Sequence, residues 1–478
     1  MNFELNSILP ILSLVAGIVV LLIQISIRRS PQLSWLITEI ALVLTIFAAL
    51  ASWHNEAVAA TPLLQADRYA LFFTILILLS ALTASLLSRT RIGDSFSTAE
   101  FCSLLLLATL GAVALTYSNH LASFVIGLEL LGVSLYALIA FSKNSQLPLE
   151  AAIKYLVLSG AASAILLFGF ALLYAALGAL SFSEIGIQLA SAGAEEYQVL
   201  TLAAAAMILV GIGFKLSLVP FHMWTPDVYQ GASAPITAFL ATVSKCAVFV
   251  VMMRWYLSAD MAQYASVSSG LSLLAILSML IGNLLALKQQ NIKRLLAYSS
   301  TAHFGYLLVA LVVLGAQGTA SATVEAVALY LAAYIVTSLA AFTCVSVLEK
   351  QSDSPIEVDV ASIQGLFWRQ PVLALTLMVA LLSLAGIPMT LGFIGKFYLF
   401  SAAVASAQWL LLSALVVGSG IGIYYYLRLI FAMTGSTDAE DTGLSIGLRL
   451  STLALSLSVA VLVLGLYPQP LIHYLTLW

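Results

Sequence analysis

Three lysines of this 478-residue chain stand inside apolar runs: Lys215, Lys245 and Lys396. A lysine near the middle of a bilayer costs at least about 2.5–3.5 kcal/mol on the insertion scale, so such residues face protein or hydrated cavities and tend to pair or to function. Lys245 lies about 14 residues past the turn at Gly231, about 21 Å into its helix at 1.5 Å per residue. Lys215 stands about 16 residues into its own span and Glu129 about ten, which brings the three to similar depth. A Glu129–Lys215 pair would act as a switch: closed, the lysine keeps its proton; open, desolvation favours release. The plainer alternative is a static ion pair that only fixes helix packing.

The runs that carry Lys215 and Lys396 are both interrupted by proline. Pro220 removes a hydrogen bond to the carbonyl of Leu216, and the chain restarts at Thr225-Pro226-Asp227, an N-cap followed by proline. Pro388 likewise frees the carbonyl of Leu384, with Lys396 eight residues further on. Freed backbone at membrane depth is tolerated where it is buried in protein or lines water; a kink that serves packing alone is the alternative. His222 and His303 are the histidines expected to lie deep, and a neutral imidazole both donates and accepts, which suits a relay between lysines. Lys154 and Lys293 open their helices at one face. Lys154 is a relay candidate, whereas Lys293 reads as a snorkelling anchor. The tyrosines 424–426 and Tyr298 read as packing residues.

These groups need a membrane-spanning frame. Hydrophobic residues make up 62% of the chain and charged ones 8%, against roughly 25% charged in a soluble domain. Runs long enough to cross about 30 Å of hydrocarbon fall near 8–27, 34–53, 69–89, 100–117, 120–141, 152–177 and 199–219, the last with a tail to 231. Others fall near 233–257, 267–287, 295–315, 322–348, 371–400, 407–433 and 447–468. The expected fold is an all-α membrane protein of about fourteen transmembrane helices, the seventh and twelfth discontinuous.

The two breaks lie five helices apart. That spacing predicts a five-helix unit used twice, helices 4–8 and 9–13, with the second copy inverted because each has an odd number of spans. The domains follow: 1–98, a three-helix segment; 99–258 and 259–434, the two repeats; 435–478, the last helix. Basic residues set the orientation. Arg28, Arg29, Arg89, Arg91, Lys143, Lys154, Lys288, Lys293, Arg294, Lys350, Arg369, Arg428 and Arg449 follow odd-numbered helices, while only Arg68 and Arg254 follow even-numbered ones. The positive-inside bias puts the odd loops in the cytoplasm and both termini outside. The N-terminal run from Ile8 to Ile27 has no cleavage site after it and reads as an anchor.

Other chemistries are excluded by what is missing. Cys102, Cys246 and Cys344 are far apart in apolar runs, with no metal-ligand spacing. There is no dinucleotide fingerprint and no phosphate-binding loop, so no cofactor is expected in this chain. The net charge of −3 gives no field for nucleic acid.

Four stretches resemble the antiporter-like subunit N of proton-pumping NADH–quinone oxidoreductase, respiratory complex I. They are Asn119-His120-Leu121-Ala122-Ser123 through Glu129-Leu130, and Gly213-Phe214-Lys215-Leu216-Ser217 through Pro226-Asp227-Val228-Tyr229-Gln230-Gly231-Ala232. The others are Asn291-Ile292-Lys293-Arg294 through Ser299-Ser300, and Ser383-Leu384-Ala385-Gly386-Ile387-Pro388 through Gly395-Lys396-Phe397-Tyr398. The resemblance implies a bacterial inner-membrane subunit packed against other membrane-arm subunits. It further implies that Glu129 and Lys215 are the coupled pair, Lys245 the central lysine and Lys396 the terminal one. Quinone, NADH, FMN and iron–sulfur clusters would belong to neighbouring subunits. A multi-subunit Mrp-type cation/proton antiporter shares the fold and the lysine row, and a non-pumping scaffold is the third reading.

Overall fold

The computed structural model describes residues 5–55, 57–93, 95, 97–141, 146–191, 197–314, 320–351, 358–435 and 447–475; Lys143, counted above with the inner positive charges, lies outside them. Among the described residues thirteen helices are long and apolar enough to cross a membrane, and the shorter pair Pro371–Ala385 and Leu391–Ala405 supplies a fourteenth crossing in two pieces. We number the crossings α1 to α14. The chain divides into two compact units, Met1–Leu216 with Thr242–Val267, and Ser217–Ala241 with Ser268–Trp478.

The first unit contains α1 (Leu9–Ile27), α2 (Pro31–Ala51), α3 (Arg68–Ile92), α4 (Thr98–Tyr117), α5 (Leu121–Ile139), α6 (Leu147–Leu177) and α7 (Gln198–Leu216). It also holds the larger part of α8 (Ala234–Ser258). Local chemistry sets the ends. Asp67 caps α3 by accepting from the Ala70 N–H at 2.8 Å, and the His120 ring caps α5 through Ala122. Proline stands in the first turn of α6, and Gly178, at φ +66°, closes it. Helices α4 and α5 lie so close at Gly111 that a Cβ there would stand 2.6 Å from the Leu131 nitrogen, the small-residue contact on which membrane helices rely. One departure from an all-helical frame is a small hairpin, strands β1 (Val58–Thr61) and β2 (Leu64–Ala66), antiparallel before α3.

The second unit holds the short helix Trp224–Gly231, then α9 (Ala265–Leu287), α10 (Ile292–Val313), α11 (Ala320–Gln351), α12 (Pro371–Ala385 and Leu391–Ala405), α13 (Trp409–Thr434) and α14 (Leu448–Leu466). Both expected breaks are present. The seventh crossing loses helical geometry directly after Leu216, the residue whose carbonyl Pro220 leaves without a donor. Its restart is at Trp224, one residue before the expected cap. The twelfth stops at Ala385, with Gly386 at φ +83°, and restarts after Thr390. Helix α10 begins at Ile292, earlier than the apolar run suggested, because Asn291 caps it by accepting from Arg294. That shift carries Lys293 into the helix. It is 0% exposed and not a snorkelling anchor.

Candidate proton-relay site

In the first unit, Glu129 lies on α5, Ser159 on α6 and Lys215 in the last turn of α7. Lys215 is 6% exposed and Ser159 is fully buried. The lysine does not form an ion pair with Glu129; its Nζ donates to Ser159 Oγ at 2.8 Å. Tyr136, also on α5, donates to the same oxygen at 2.8 Å. A Cβ at Gly132 would stand 3.8 Å from Lys215 Nζ, so the ammonium rests against α5 three residues beyond Glu129, on the same helix face. The two expected partners thus come from adjacent parts of the unit, with Lys215 bonded to Ser159 rather than to Glu129. Lys154 is exposed and pairs with Glu150 one turn earlier, at 2.8 Å.

Lys245 is completely buried. The turn before it, Leu240–Ser244, is π-helical. Such a wide turn re-aims side chains and is frequent at functional positions. Nine residues on, Arg254 is also buried rather than in an outer loop. It forks onto Asp67 with NH1 at 2.6 Å and NH2 at 2.8 Å, and NH2 also donates to the Thr116 carbonyl.

In the second unit, Lys396 Nζ donates to the carbonyls of Leu384 at 2.9 Å and Ala385 at 3.0 Å. The first of these is the group that Pro388 frees, so the break supplies the lysine's seat. Lys396 also stands 5.3 Å from the Tyr306 ring centroid, within cation–π range. His303, on α10, is buried; its Nδ1 lies 2.6 Å from the Tyr330 hydroxyl and its Nε2 3.3 Å from that of Tyr426. Tyr426 also bonds to Ser299, and Tyr425 reaches Asn283, which donates to Tyr306. Tyr425 and Tyr426 are therefore hydrogen-bonding members of a network as well as packing residues. A small cavity lies beside His303, lined among others by Tyr330, Tyr334, Thr337, Ser383 and Leu384. Leu384 touches both the cavity and Lys396, which joins the histidine to the lysine within one unit. His222 is 5% exposed and packs its ring edge-on to Tyr298, centroids 6.1 Å apart.

Sequence reasoning missed one buried pair outright. Lys293 Nζ lies 2.7 Å from Glu349 Oε1, and neither side chain has exposed surface. Glu349 also accepts from the Ala234 N–H at 2.8 Å, while Lys293 donates to the Ala232 carbonyl at 2.9 Å. The available signal was the spacing of Lys293 from a capping Asn291, and a glutamate at the edge of an apolar run. The tyrosine cage had a signal too: Tyr330 and Tyr334 share one face of α11, as Ser299 and His303 share one face of α10.

A family model described as NADH:quinone oxidoreductase/Mrp antiporter, TM, matches residues 118–422. NADH-quinone oxidoreductase subunit N of Methylococcus capsulatus is 47% identical over 474 residues, 98% of this chain and 94% of that protein. A chain of respiratory complex I from Thermus thermophilus, with bound aureothin, matches with a TM-score of 0.82 at 34% identity, covering 97% of this chain and 98% of that one. A chain of the Mrp complex from a Dietzia species matches at TM-score 0.85 and 22% identity, over 99% of this chain and 96% of that one, a likeness of fold. The chain belongs to the NADH:quinone oxidoreductase/Mrp antiporter family of transmembrane subunits, and within it to the kin of NADH-quinone oxidoreductase subunit N.

Proposed function

We propose that this chain translocates protons as a membrane-arm subunit of an NADH–quinone oxidoreductase. One observation carries the reading: in each unit a lysine is seated at a helix break on a neutral oxygen acceptor, Lys215 on Ser159 and Lys396 on the freed carbonyls of Leu384 and Ala385. A neutral acceptor compensates a buried ammonium only in part, so small electrostatic changes nearby decide whether the lysine keeps its proton.

The working residues in this reading are Glu129, Lys215, Lys245 and Lys396, with His303 and His222 as relay imidazoles; Lys154, being exposed, is the weakest of the set. Quinone reduction in neighbouring subunits sends an electrostatic change into the membrane arm. Closing or opening of Glu129–Lys215 then shifts the proton affinity of Lys245, and protons move on towards His303 and Lys396. NADH, FMN, iron–sulfur clusters and quinone belong to those other subunits. The chain sits in a bacterial inner membrane with both termini on the periplasmic side, and its repeats are 99–258 and 259–434, inverted with respect to each other.

Replacing Lys245 by alanine tests the reading in the assembled complex. A relay keeps assembly and loses proton translocation; a scaffold keeps both. Mild solubilisation tests the assembly: the chain is expected to co-migrate with NADH dehydrogenase activity, whereas an Mrp-type antiporter subunit would separate from it.

A further inference from the structure

We infer that Ser159 is a positioning residue that gives Lys215 a second seat, one that holds the lysine whether or not it carries its proton. The inference rests on the relay reading and assigns it a part that the charged residues alone do not supply. Lys215 has two neighbours of different chemistry on the helices beside it. Glu129 is a carboxylate, which only accepts hydrogen bonds, and an ammonium adds to that bond the attraction of opposite charges, which a neutral amine lacks. Ser159 is a hydroxyl, which donates and accepts.

With Lys215 as the ammonium, Nζ–H donates to Ser159 Oγ, the arrangement present in the structure. With Lys215 as the amine, the hydroxyl turns and donates its own proton to the Nζ lone pair. In both states Oγ keeps the bond it accepts from Tyr136. The proton that Lys215 gives up passes to the relay, not to the serine; between Ser159 and Lys215 only the direction of one hydrogen bond reverses. The seat is therefore indifferent to charge, while Glu129 holds only the charged lysine well. The position of Gly132 matters as well. A Cβ there would stand 3.8 Å from Nζ, so the lysine lies against α5 within one helical turn of Glu129, and the move between seats is a side-chain swing.

The test uses the assembled complex in native membranes and three variants, Ser159→Ala, Ser159→Thr and Lys215→Ala. Proton translocation per NADH oxidised is measured for each, and a structure of the Ser159→Ala complex reads the lysine's position. Without the hydroxyl, Lys215 Nζ is expected within hydrogen-bonding distance of the Glu129 carboxylate, and translocation is expected to fall at least about fivefold, the consequence of losing one charge-assisted hydrogen bond. Ser159→Thr keeps the hydroxyl and should restore translocation, which a packing role for the serine would not do. Should Ser159→Ala fail to assemble, Ser159→Cys, a weak acceptor of similar shape, gives the same reading. If Lys215→Ala abolishes translocation while Ser159→Ala translocates normally with Lys215 unmoved, the second seat is wrong. If Lys215→Ala itself translocates normally, the relay reading fails instead.

Discussion

Lys293 and Glu349 face each other in an ion pair of 2.7 Å with no exposed surface on either side chain. The pair also binds backbone on both sides of Ser233: Glu349 takes the Ala234 N–H and Lys293 the Ala232 carbonyl. It therefore ties the end of the short helix Trp224–Gly231 and the first turn of α8 to α10 and α11. Buried charges of this kind are costly to separate, because removing one leaves the other's charge buried without its counter-charge.

Glu349→Ala is expected to cost about 3–5 kcal/mol of stability, and Glu349→Gln less, since an amide still accepts from Ala234. Replacing both partners at once, Lys293→Met with Glu349→Leu, should recover much of the loss. The measurement is the thermal inactivation midpoint of the solubilised complex. Equal midpoints for Glu349→Ala and the double variant would refute this account.

Asp67 does two things: it caps α3 through Ala70 and it receives the Arg254 fork. Asparagine keeps the first and loses the second, whereas alanine loses both. Asp67→Ala should therefore be less stable than Asp67→Asn by about 1 kcal/mol, the usual worth of an N-cap. Thermal unfolding of the two variants, side by side, decides it; identical midpoints would mean the cap contributes nothing.

Tyr330 holds the nearer contact to His303, at Nδ1, and Tyr426 the farther, at Nε2. Tyr330→Phe is expected to reduce proton translocation severalfold and more than Tyr426→Phe, because a hydrogen bond lost from a buried ring leaves that nitrogen unsatisfied. Tyr424→Phe, at a tyrosine 65% exposed, should leave translocation unchanged. A Tyr330→Phe complex that pumps at the full rate would remove His303 and its cage from the pathway.

Gly386 is held at φ +83°, and a Cβ there would stand 2.8 Å from Lys396 Cδ. Gly386→Ala is expected both to strain the turn and to push Lys396 off the carbonyls of Leu384 and Ala385. Translocation should be lost in a complex that still assembles. Gly160→Ala, where no atom stands within 4 Å of the added carbon, is the matched control and should behave as the parent. Normal pumping by Gly386→Ala would show that the seat at the break is dispensable.

Much of the frame was legible in the order of residues. Apolar length alone located the fourteen crossings, because hydrocarbon tolerates only helices that satisfy their own backbone. Pro220 and Pro388 marked the breaks, and the loss of one donor at each identified the carbonyls of Leu216 and Leu384 as the ones left free. The lysines Lys215, Lys245 and Lys396 stood out because a charge in an apolar run has no cheap explanation. Those are local or one-dimensional properties, and a linear text carries them.

Partner choice was decided only by the tertiary structure. Nothing in the order of residues separates Glu129 from Ser159 as the acceptor for Lys215, since the three come from α5, α6 and α7 and meet only after packing. The same holds for Glu349, 56 residues from Lys293 along the chain yet 2.7 Å away in space, and for Arg254 with Asp67. A side chain's charge is written in the sequence, but what solvates that charge depends on which helix faces it, and burial turns that neighbour into the whole of its electrostatic environment.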